Sequence, residues 1–289
     1  MQIAKLRQDY HKKACDQIIR FQSKTKNGVS HDFPNFADGD NVISVTVANR
    51  IVEKLGGLKN FEKISGQTAG NLFEEITRYF IESAFGLLTH LRPGQWIYST
   101  NASISDFEQY EHLAYLEKAI TRDRKLAAAF KGSYIITPDI VVGRCPVSDN
   151  EINAHETVVG KKNGIANLTP LRQTNRKNET KILHASISCK WTIRSDRSQN
   201  TRTEALNLIR NRKGHLPHVL AVTAEPTASR LSSLALGTGD LDCVYHFALY
   251  ELLASTKELG YKDAYDELRI MVDGKRLRDI TDLPFDLAL

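Results

Sequence analysis

Four charged residues have the types and the settings that phosphodiester chemistry requires. Asp139 follows Pro138 in one apolar segment, Lys190 lies near the end of a second, and Glu204 comes 14 positions after Lys190. Glu74 lies in an earlier amphipathic segment. Carboxylates bind the hard cation Mg²⁺ alongside waters and phosphate oxygens, and a lysine stabilises charge that develops on a phosphate. These residue types predict metal-assisted hydrolysis of a phosphodiester.

The setting of Asp139 and Lys190 is the main reason to single them out. A charged side chain inside an apolar strand is costly unless it is paired with an opposite charge or bound to a metal. A structural ion pair between the two residues accounts for their spacing as well as a metal site does. Both interpretations stay open at this point.

A polar cluster, Arg194-Ser195-Asp196-Arg197, lies between the lysine and Glu204. Arginine bonds guanine O6 and N7 in a bidentate way and aspartate accepts from cytosine N4, each contact giving about 1–3 kcal/mol of discrimination. The cluster therefore fits the reading of G and C bases in a major groove. It also fits a helix N-cap flanked by solvated arginines.

The charge distribution favours a polyanionic partner. The net charge is only +5, but residues 161–213 contain 13 Lys or Arg and three Asp or Glu, so the rest of the chain is net acidic. A basic block in an acidic chain is typical of nucleic-acid binding. Few aromatic residues interleave with these charges, which favours a duplex over a single strand.

Neither the cysteines nor the N-terminus indicates secretion. The four cysteines are widely spaced and form no Cys-x-x-Cys or Cys/His metal pattern. Cys189 fits a small core residue better than a reactive thiol. The sequence has no apolar run of membrane-spanning length, and its first residues are too charged for a signal peptide. We expect a cytoplasmic protein with no membrane association.

The hydrophobic pattern predicts the elements that position these residues. We predict helices over residues 2–23, 42–55, 69–91, 106–130 and 242–259, and a further helix that carries Glu204. Strands are predicted over residues 134–142, 182–192, 218–224 and 267–272, with irregular segments over 24–41 and 146–180 and a turn-rich segment through Arg230 to Asp240.

The order of these elements predicts one α/β domain over residues 1–289, with a central mixed β-sheet flanked by helices. Residues 1–130 are expected to be mainly helical, and residues 131–289 to form the catalytic and DNA-reading core. Gln67 would lie just before the helix 69–91, and Glu74 early within it.

Several segments carry a resemblance to a known family. They are IITPDI (135–140), HASISCKWTIRSDR (184–197), Glu204, AEPTASR (224–230), LGTGDLDCVYHFALY (236–250) and GQTAGNLFE (66–74). In these segments the chain resembles the CCGG family of type II restriction endonucleases, whose members have the PD-(D/E)xK nuclease fold. The resemblance spans nearly the whole chain and is weakest at residues 1–35 and 146–180.

The resemblance implies a set of catalytic and metal-binding residues. Asp139, Lys190, Glu204, Glu74 and Ser188 would form the active site. Mg²⁺, two ions per active site, would be bound by the three carboxylates and by the backbone carbonyl of Cys189. Many nucleases of this kind have an acid two residues before the lysine, where this chain has Ser188, so Glu204 would supply the displaced carboxylate.

The resemblance also implies a target sequence and an assembly. Arg194, Asp196 and Arg197 would read a central CCGG, and Gln67 would contact its middle pairs from the minor groove. Asp38 and Arg230 would read an outer G:C pair, which implies the duplex GCCGGC cut after its first G.

Such enzymes are homotetramers of two dimers, each dimer binding one DNA site. A cognate methyltransferase is expected in the cell, without a stable complex. Asp40 departs from the family, which has a small hydroxyl residue there, and its carboxylate would repel phosphate or bond a cytosine.

Two alternatives fit part of the pattern. One is a DNA-binding module without catalysis, although every ionisable active-site position is filled. The other is a structure-specific repair nuclease, which would not need the arginine-rich cluster.

Overall fold

The structure is a computed structural model of the chain. It describes residues 1–26, 29–123, 125, 128, 136–160, 164–173, 180–193, 195–237 and 239–289, with the backbone alone at 26, 29 and 195–198.

A mixed β-sheet is the centre of the described part of the chain. Its strands, in spatial order, are β3 (Trp96–Ser99), β4 (Ile140–Arg144), β5 (Ile182–Lys190), β6 (His218–Thr223), β7 (Cys243–His246) and β8 (Leu277–Asp279). Strands β3, β4 and β5 are antiparallel to one another, whereas β5 to β8 are parallel. A separate hairpin joins β1 (Phe21–Lys26) to β2 (Val29–Pro34).

Helices flank the sheet, which confirms the predicted fold class. They are α1 (Gln2–Lys13), which continues as a π-helical turn at Ala14–Ile18, α2 (Val42–Lys54), α3 (Gly66–Gly86), α4 (Glu111–Arg122), α5 (Asp149–Ile152), α6 (Ser195–Asn211), α7 (Ala228–Ala235), α8 (Leu249–Glu258), α9 (Lys262–Asp273) and α10 (Leu283–Leu287). Short 3₁₀ turns at Ile104–Asp106 and Glu108–Tyr110 precede α4. No helix in the described ranges is both long and apolar enough to cross a membrane.

Two elements matter most for the site. Strand β5 is buried on both faces, as expected for a strand covered by helices on each side. Helix α3 begins at the N-cap Ser65, whose hydroxyl accepts a hydrogen bond from the Thr68 backbone N–H, and it buries a stripe that includes Phe73 and Phe80. These two elements fix the positions of the central lysine and of Glu74.

The structure corrects several predicted boundaries in the N-terminal half. Helix α1 and its π turn end by residue 18, and the predicted loop 24–41 begins as the hairpin β1–β2. This hairpin has few apolar residues, so its sequence resembles that of a loop. Backbone pairing between the two strands holds the hairpin together. Helix α3 starts at Gly66, which puts Gln67 inside its first turn, and ends at Gly86.

The predicted strand 134–142 is shorter than expected. Strand β4 begins at Ile140, so Pro138 and Asp139 come before the ladder and the proline removes no sheet hydrogen bond. Residues 134 and 135 lie outside the described residues. The strand β3 over Trp96–Ser99 was not predicted.

Corrections also apply near the C-terminus. The turn-rich segment through Arg230 contains helix α7, and the predicted helix 242–259 is strand β7 followed by helix α8. The predicted strand 267–272 is wrong, because these residues belong to helix α9. Leu268 and Met271 are its buried residues, and their separation of three positions is a helical one.

Candidate active site

The antiparallel pairing of β4 and β5 brings Asp139 to the lysine. Ile140 pairs with Ile187, so the residue before β4 lies beside the last residues of β5. Oδ2 of Asp139 accepts hydrogen bonds from Lys190 Nζ at 2.6 Å, from the Cys189 backbone N–H at 2.7 Å and from Ser188 Oγ at 3.3 Å. The carboxylate is therefore fixed by three consecutive residues of one strand.

Lys190 is held in its charged form by this contact. Burial opposes the charge of the ammonium, but the charge of Asp139 and its hydrogen bond outweigh burial, so the pKa of Lys190 is raised. Glu204 adds in the same direction. The side chain keeps 21% of its surface exposed, which leaves it accessible from the adjoining cavity.

Two further carboxylates face this pair from helices. Burial raises the pKa of Glu74 to about 7; repulsion from Asp139 adds to the effect, and the positive charge of Lys190 opposes it. Burial also raises the pKa of Glu204, again with Asp139 adding and Lys190 opposing. Helices α3 and α6 thus bring two carboxylates into the field of one ion pair.

Glu74, Lys190 and Glu204 share a cavity of about 440 Å³, and Asp139 is connected to it through the hydrogen bond from Lys190. Its lining includes Gln67, Glu74, Lys190, Glu204 and Asn200. Sequence reasoning missed Asn200, which lies four residues before Glu204 on the same face of α6.

The donor set fits a hard divalent cation. Carboxylates and a backbone carbonyl are oxygen ligands of the kind that Mg²⁺ prefers, and the repulsion that raises the pKa of Glu74 is a cost that a cation would relieve. Among the described residues, no three Asp, Glu, His or Cys side chains converge closely enough to form a metal site by themselves. Waters and phosphate oxygens would therefore complete the coordination.

Ser188 contacts a neighbouring helix, and Cys189 lies in the core. Ser188 Oγ lies 3.4 Å from Thr201 Oγ1 of α6 as well as near Asp139, so it bridges the strand and the helix that carries Glu204. Cys189 is buried, and burial raises the pKa of its thiol well above the usual range. The expectation of an inert core thiol is confirmed, and all four cysteines are unbonded.

A second cavity of about 580 Å³ adjoins the first. Gln22, Asn35 and Thr192 line both cavities, so the two are adjacent. In the second cavity Nη2 of Arg230 donates to Oδ2 of Asp38, an ion pair of two side chains that are each about a third exposed.

Asp40 also lies along this second cavity. Nζ of Lys24 donates to its Oδ1 at 2.5 Å. The carboxylate at this position is therefore paired with a cation of the hairpin, which lowers the repulsion that it would exert on a phosphate.

The side chains predicted to read the central CCGG are not among those that the structure describes. Arg194 lies outside the described residues. Asp196 and Arg197 belong to the first turn of α6, but their side chains are outside the description. The position of that helix, directly after β5, still puts this turn next to Lys190 in the fold.

An aromatic cluster supports both cavities and was missed in the sequence. Trp191 lies 5% exposed and makes edge contacts with Phe36, Phe73 and Phe247 at ring-centroid distances of 5.5, 5.0 and 5.8 Å. Its Nε1 donates to Asn35 Oδ1 at 3.3 Å. Trp191 follows Lys190 and Phe73 precedes Glu74, so this packing fixes the backbone beside two candidate catalytic residues.

Comparison with known proteins gives a match along nearly the whole chain. The model of the NgoMIV restriction enzyme family matches residues 10–289. The chain is 50% identical over 288 residues to the type II restriction enzyme NgoMIV of Neisseria gonorrhoeae, which covers 98% of this chain and 97% of that protein.

Solved structures give weaker matches. A structure of the type IIF restriction endonuclease Bse634I with cognate DNA is 12% identical, covers 83% of this chain and 96% of that chain, and has a TM-score of 0.38. A second Bse634I restriction endonuclease structure is 13% identical, covers 86% and 98%, and has a TM-score of 0.36.

Proposed function

The chain belongs to the NgoMIV family of type II restriction enzymes, and on that premise we propose that it cleaves double-stranded DNA at GCCGGC. Cleavage after the first G of each strand leaves 5′ overhangs. The observation that carries the proposal is the meeting of Glu74, Glu204 and Lys190 along one cavity, with Asp139 paired to that lysine. That cavity adjoins the one that Asp38 and Arg230 line.

The catalytic residues have distinct roles in this proposal. Asp139, Glu74 and Glu204, with the backbone carbonyl of Cys189, would hold Mg²⁺, two ions per active site. Bound Mg²⁺ activates water and neutralises charge on the phosphate and the leaving oxygen. Lys190 orients the attacking water and stabilises the phosphate as its charge increases. Ser188 holds the Asp139 carboxylate through its hydroxyl.

Recognition is divided between two parts of the chain. Arg194, Asp196 and Arg197 read the central CCGG in the major groove, and Gln67 contacts its middle pairs from the minor groove. Asp38 and Arg230 read the outer G:C pair, with arginine on guanine and aspartate on cytosine. The adjacency of the two cavities supports this division, because one duplex can then contact both.

The palindromic target suits a symmetric assembly. In a two-fold dimer each subunit reads one half-site, and two such dimers form the proposed homotetramer with one DNA site per dimer. We take residues 1–289 as a single nuclease domain that acts in the bacterial cytoplasm. A cognate methyltransferase protects the cell's own sites without forming a stable complex with the enzyme.

Cleavage by an Asp139→Ala variant is the direct test. With a GCCGGC-containing plasmid and Mg²⁺, we expect a rate loss on the order of 10²–10³ or more, because the variant lacks both a metal ligand and the partner of Lys190. Glu75→Gln is the matched control, since this exposed residue follows Glu74 on the same helix. Undiminished cleavage by Asp139→Ala would contradict the assignment.

Mapping the cut ends on a plasmid of known sequence tests the target and the stagger together. Cleavage of DNA that lacks GCCGGC would instead indicate a structure-specific nuclease. Binding without cleavage in both Mg²⁺ and Mn²⁺ would indicate a DNA-binding module.

A further inference from the structure

A buried glutamate lies between the two proposed recognition segments. Glu225 follows strand β6 and is fully buried. Its Oε2 accepts a hydrogen bond from the Ile193 backbone N–H at 3.0 Å, and its Oε1 accepts from the Thr227 backbone N–H at 3.1 Å. One carboxylate thus ties the turn after β5 to the turn that begins α7.

The same carboxylate faces the guanidinium of Arg230. Nη1 of Arg230 lies 3.7 Å from Glu225 Oε2, while its Nη2 donates to Asp38. Arg230 is therefore held between one fully buried carboxylate and one partly exposed carboxylate. When Asp38 turns to a base, Glu225 remains as the charge that keeps the guanidinium in place.

Fold stability alone gives a poor account of a charge at this position. Burial raises the pKa of Glu225, although hydrogen bonds from Thr227 and Ile193 and the charge of Arg230 oppose the effect. A packed apolar side chain of similar volume often stabilises a fold as well as a buried ion pair does. A buried carboxylate in contact with Ile193, Thr227 and Arg230 is better suited to fix the relative positions of these three residues.

We propose that Glu225 is a positioning residue for sequence recognition, holding the Ile193 backbone and Arg230 in register so that inner and outer base pairs are read together. The inference rests on the proposed function, since it takes Arg194, which follows Ile193, and Arg230 as base-reading residues. Glu225 itself contacts no DNA in this account.

Glu225→Gln is the most informative variant because it keeps the shape and removes the charge. Its amide NH₂ would face either the Thr227 N–H or both the Ile193 N–H and the Arg230 guanidinium, so at least one of these contacts is lost. We expect the preference for GCCGGC over ACCGGT, measured as a ratio of kcat/KM values, to fall on the order of tenfold. The loss should lie in KM, with kcat at saturating GCCGGC within about twofold of wild type.

Three further variants separate positioning from general destabilisation. Glu251→Gln is the matched control, because Glu251 pairs with Arg7 at 2.6 Å away from both cavities; its preference should equal that of wild type. Glu225→Asp should retain more preference than Glu225→Gln. In an Arg230→Ala background, Glu225→Gln should no longer alter outer-pair preference, because coupled residues are non-additive.

The outcomes distinguish this inference from the proposed function. A wild-type enzyme that cuts GCCGGC and ACCGGT equally well would overturn the target and this inference with it. A selective wild type with an equally selective Glu225→Gln would overturn the role of Glu225 alone. An equal loss of selectivity in Glu251→Gln would also overturn it, since the effect would then follow from lost stability.

Discussion

Glu74 gives the sharpest test of the electrostatics at the candidate active site. Burial and repulsion from Asp139 raise its pKa to about 7, whereas a glutamate in the unfolded chain has a pKa near its ordinary value of 4.5. Between these two values the folded protein binds more protons than the unfolded chain. The free energy of unfolding therefore falls as pH rises through this window, and Glu74→Gln should remove that fall.

The size of the effect follows from the pKa difference. A group whose pKa goes from 4.5 to about 7 on folding costs the fold at most about 3.4 kcal/mol once it is ionised. Glu74 is only partly buried, and solvent screening reduces this to about 1–2 kcal/mol. Relative to wild type, Glu74→Gln should therefore stabilise the protein by about that amount more at pH 8 than at pH 5.

Urea denaturation without divalent cations, at pH 5 and at pH 8, measures this difference. Glu82→Gln is the control, because its exposed side chain lies on the same helix and does not contribute to the pKa of Glu74. Addition of Mg²⁺ at pH 8 should raise the unfolding midpoint of wild type more than that of Glu74→Gln, since a bound cation stabilises the folded state. The same pH dependence in Glu74→Gln and wild type would refute the reasoning.

Two other predictions address DNA binding and packing. If the basic block 161–213 contacts the DNA backbone, affinity for a GCCGGC duplex should fall by about 10³ or more between 50 and 200 mM salt in a filter-binding or gel-shift assay, and a flat dependence would contradict that role. Trp191→Ala should lower the free energy of unfolding by about 3–5 kcal/mol in urea, because it empties the centre of the cluster with Phe36, Phe73 and Phe247. A loss below about 1 kcal/mol would show that the cluster does not depend on the indole.

The long elements could be predicted because their patterns are self-sufficient. Strand β5 is apolar on both faces, a pattern that favours a strand covered by helices. Helix α3 has a buried stripe at helical spacing, a pattern that a strand would not show. Strand β7 could not be predicted. Its four buried residues come shortly before helix α8 and extend an apolar segment whose pattern also fits a helix. Only the pairing with β6 and β8 distinguishes a strand from a helix here. Strand β3 was missed for another reason: it is only four residues long and half-buried along its length, so its pattern is too short to recognise.

The family resemblance, which the comparisons confirm, and the cost of a buried charge both pointed to Asp139 and Lys190. Glu225 carried no comparable signal, because a glutamate after a strand and before a proline resembles a solvated turn residue. Its burial depends on Ile193, 32 positions earlier, and that contact exists only in the folded chain. Asn35 was likewise hidden in a segment that was expected to be an irregular loop.

The ion pair and the metal site that the sequence left open are physically compatible. Two carboxylates and one ammonium line the cavity, and Asp139 is paired with that ammonium, so the four groups together are net negative when all are ionised. Near pH 7 a proton on Glu74 removes one of those charges, and the Lys190–Asp139 contact compensates another. A cation must compete with that proton, so metal affinity should increase as pH rises through 7. In the proposed mechanism the ion pair would keep the carboxylates together until a cation and a phosphate bind, and this role does not require the pair to stabilise the fold.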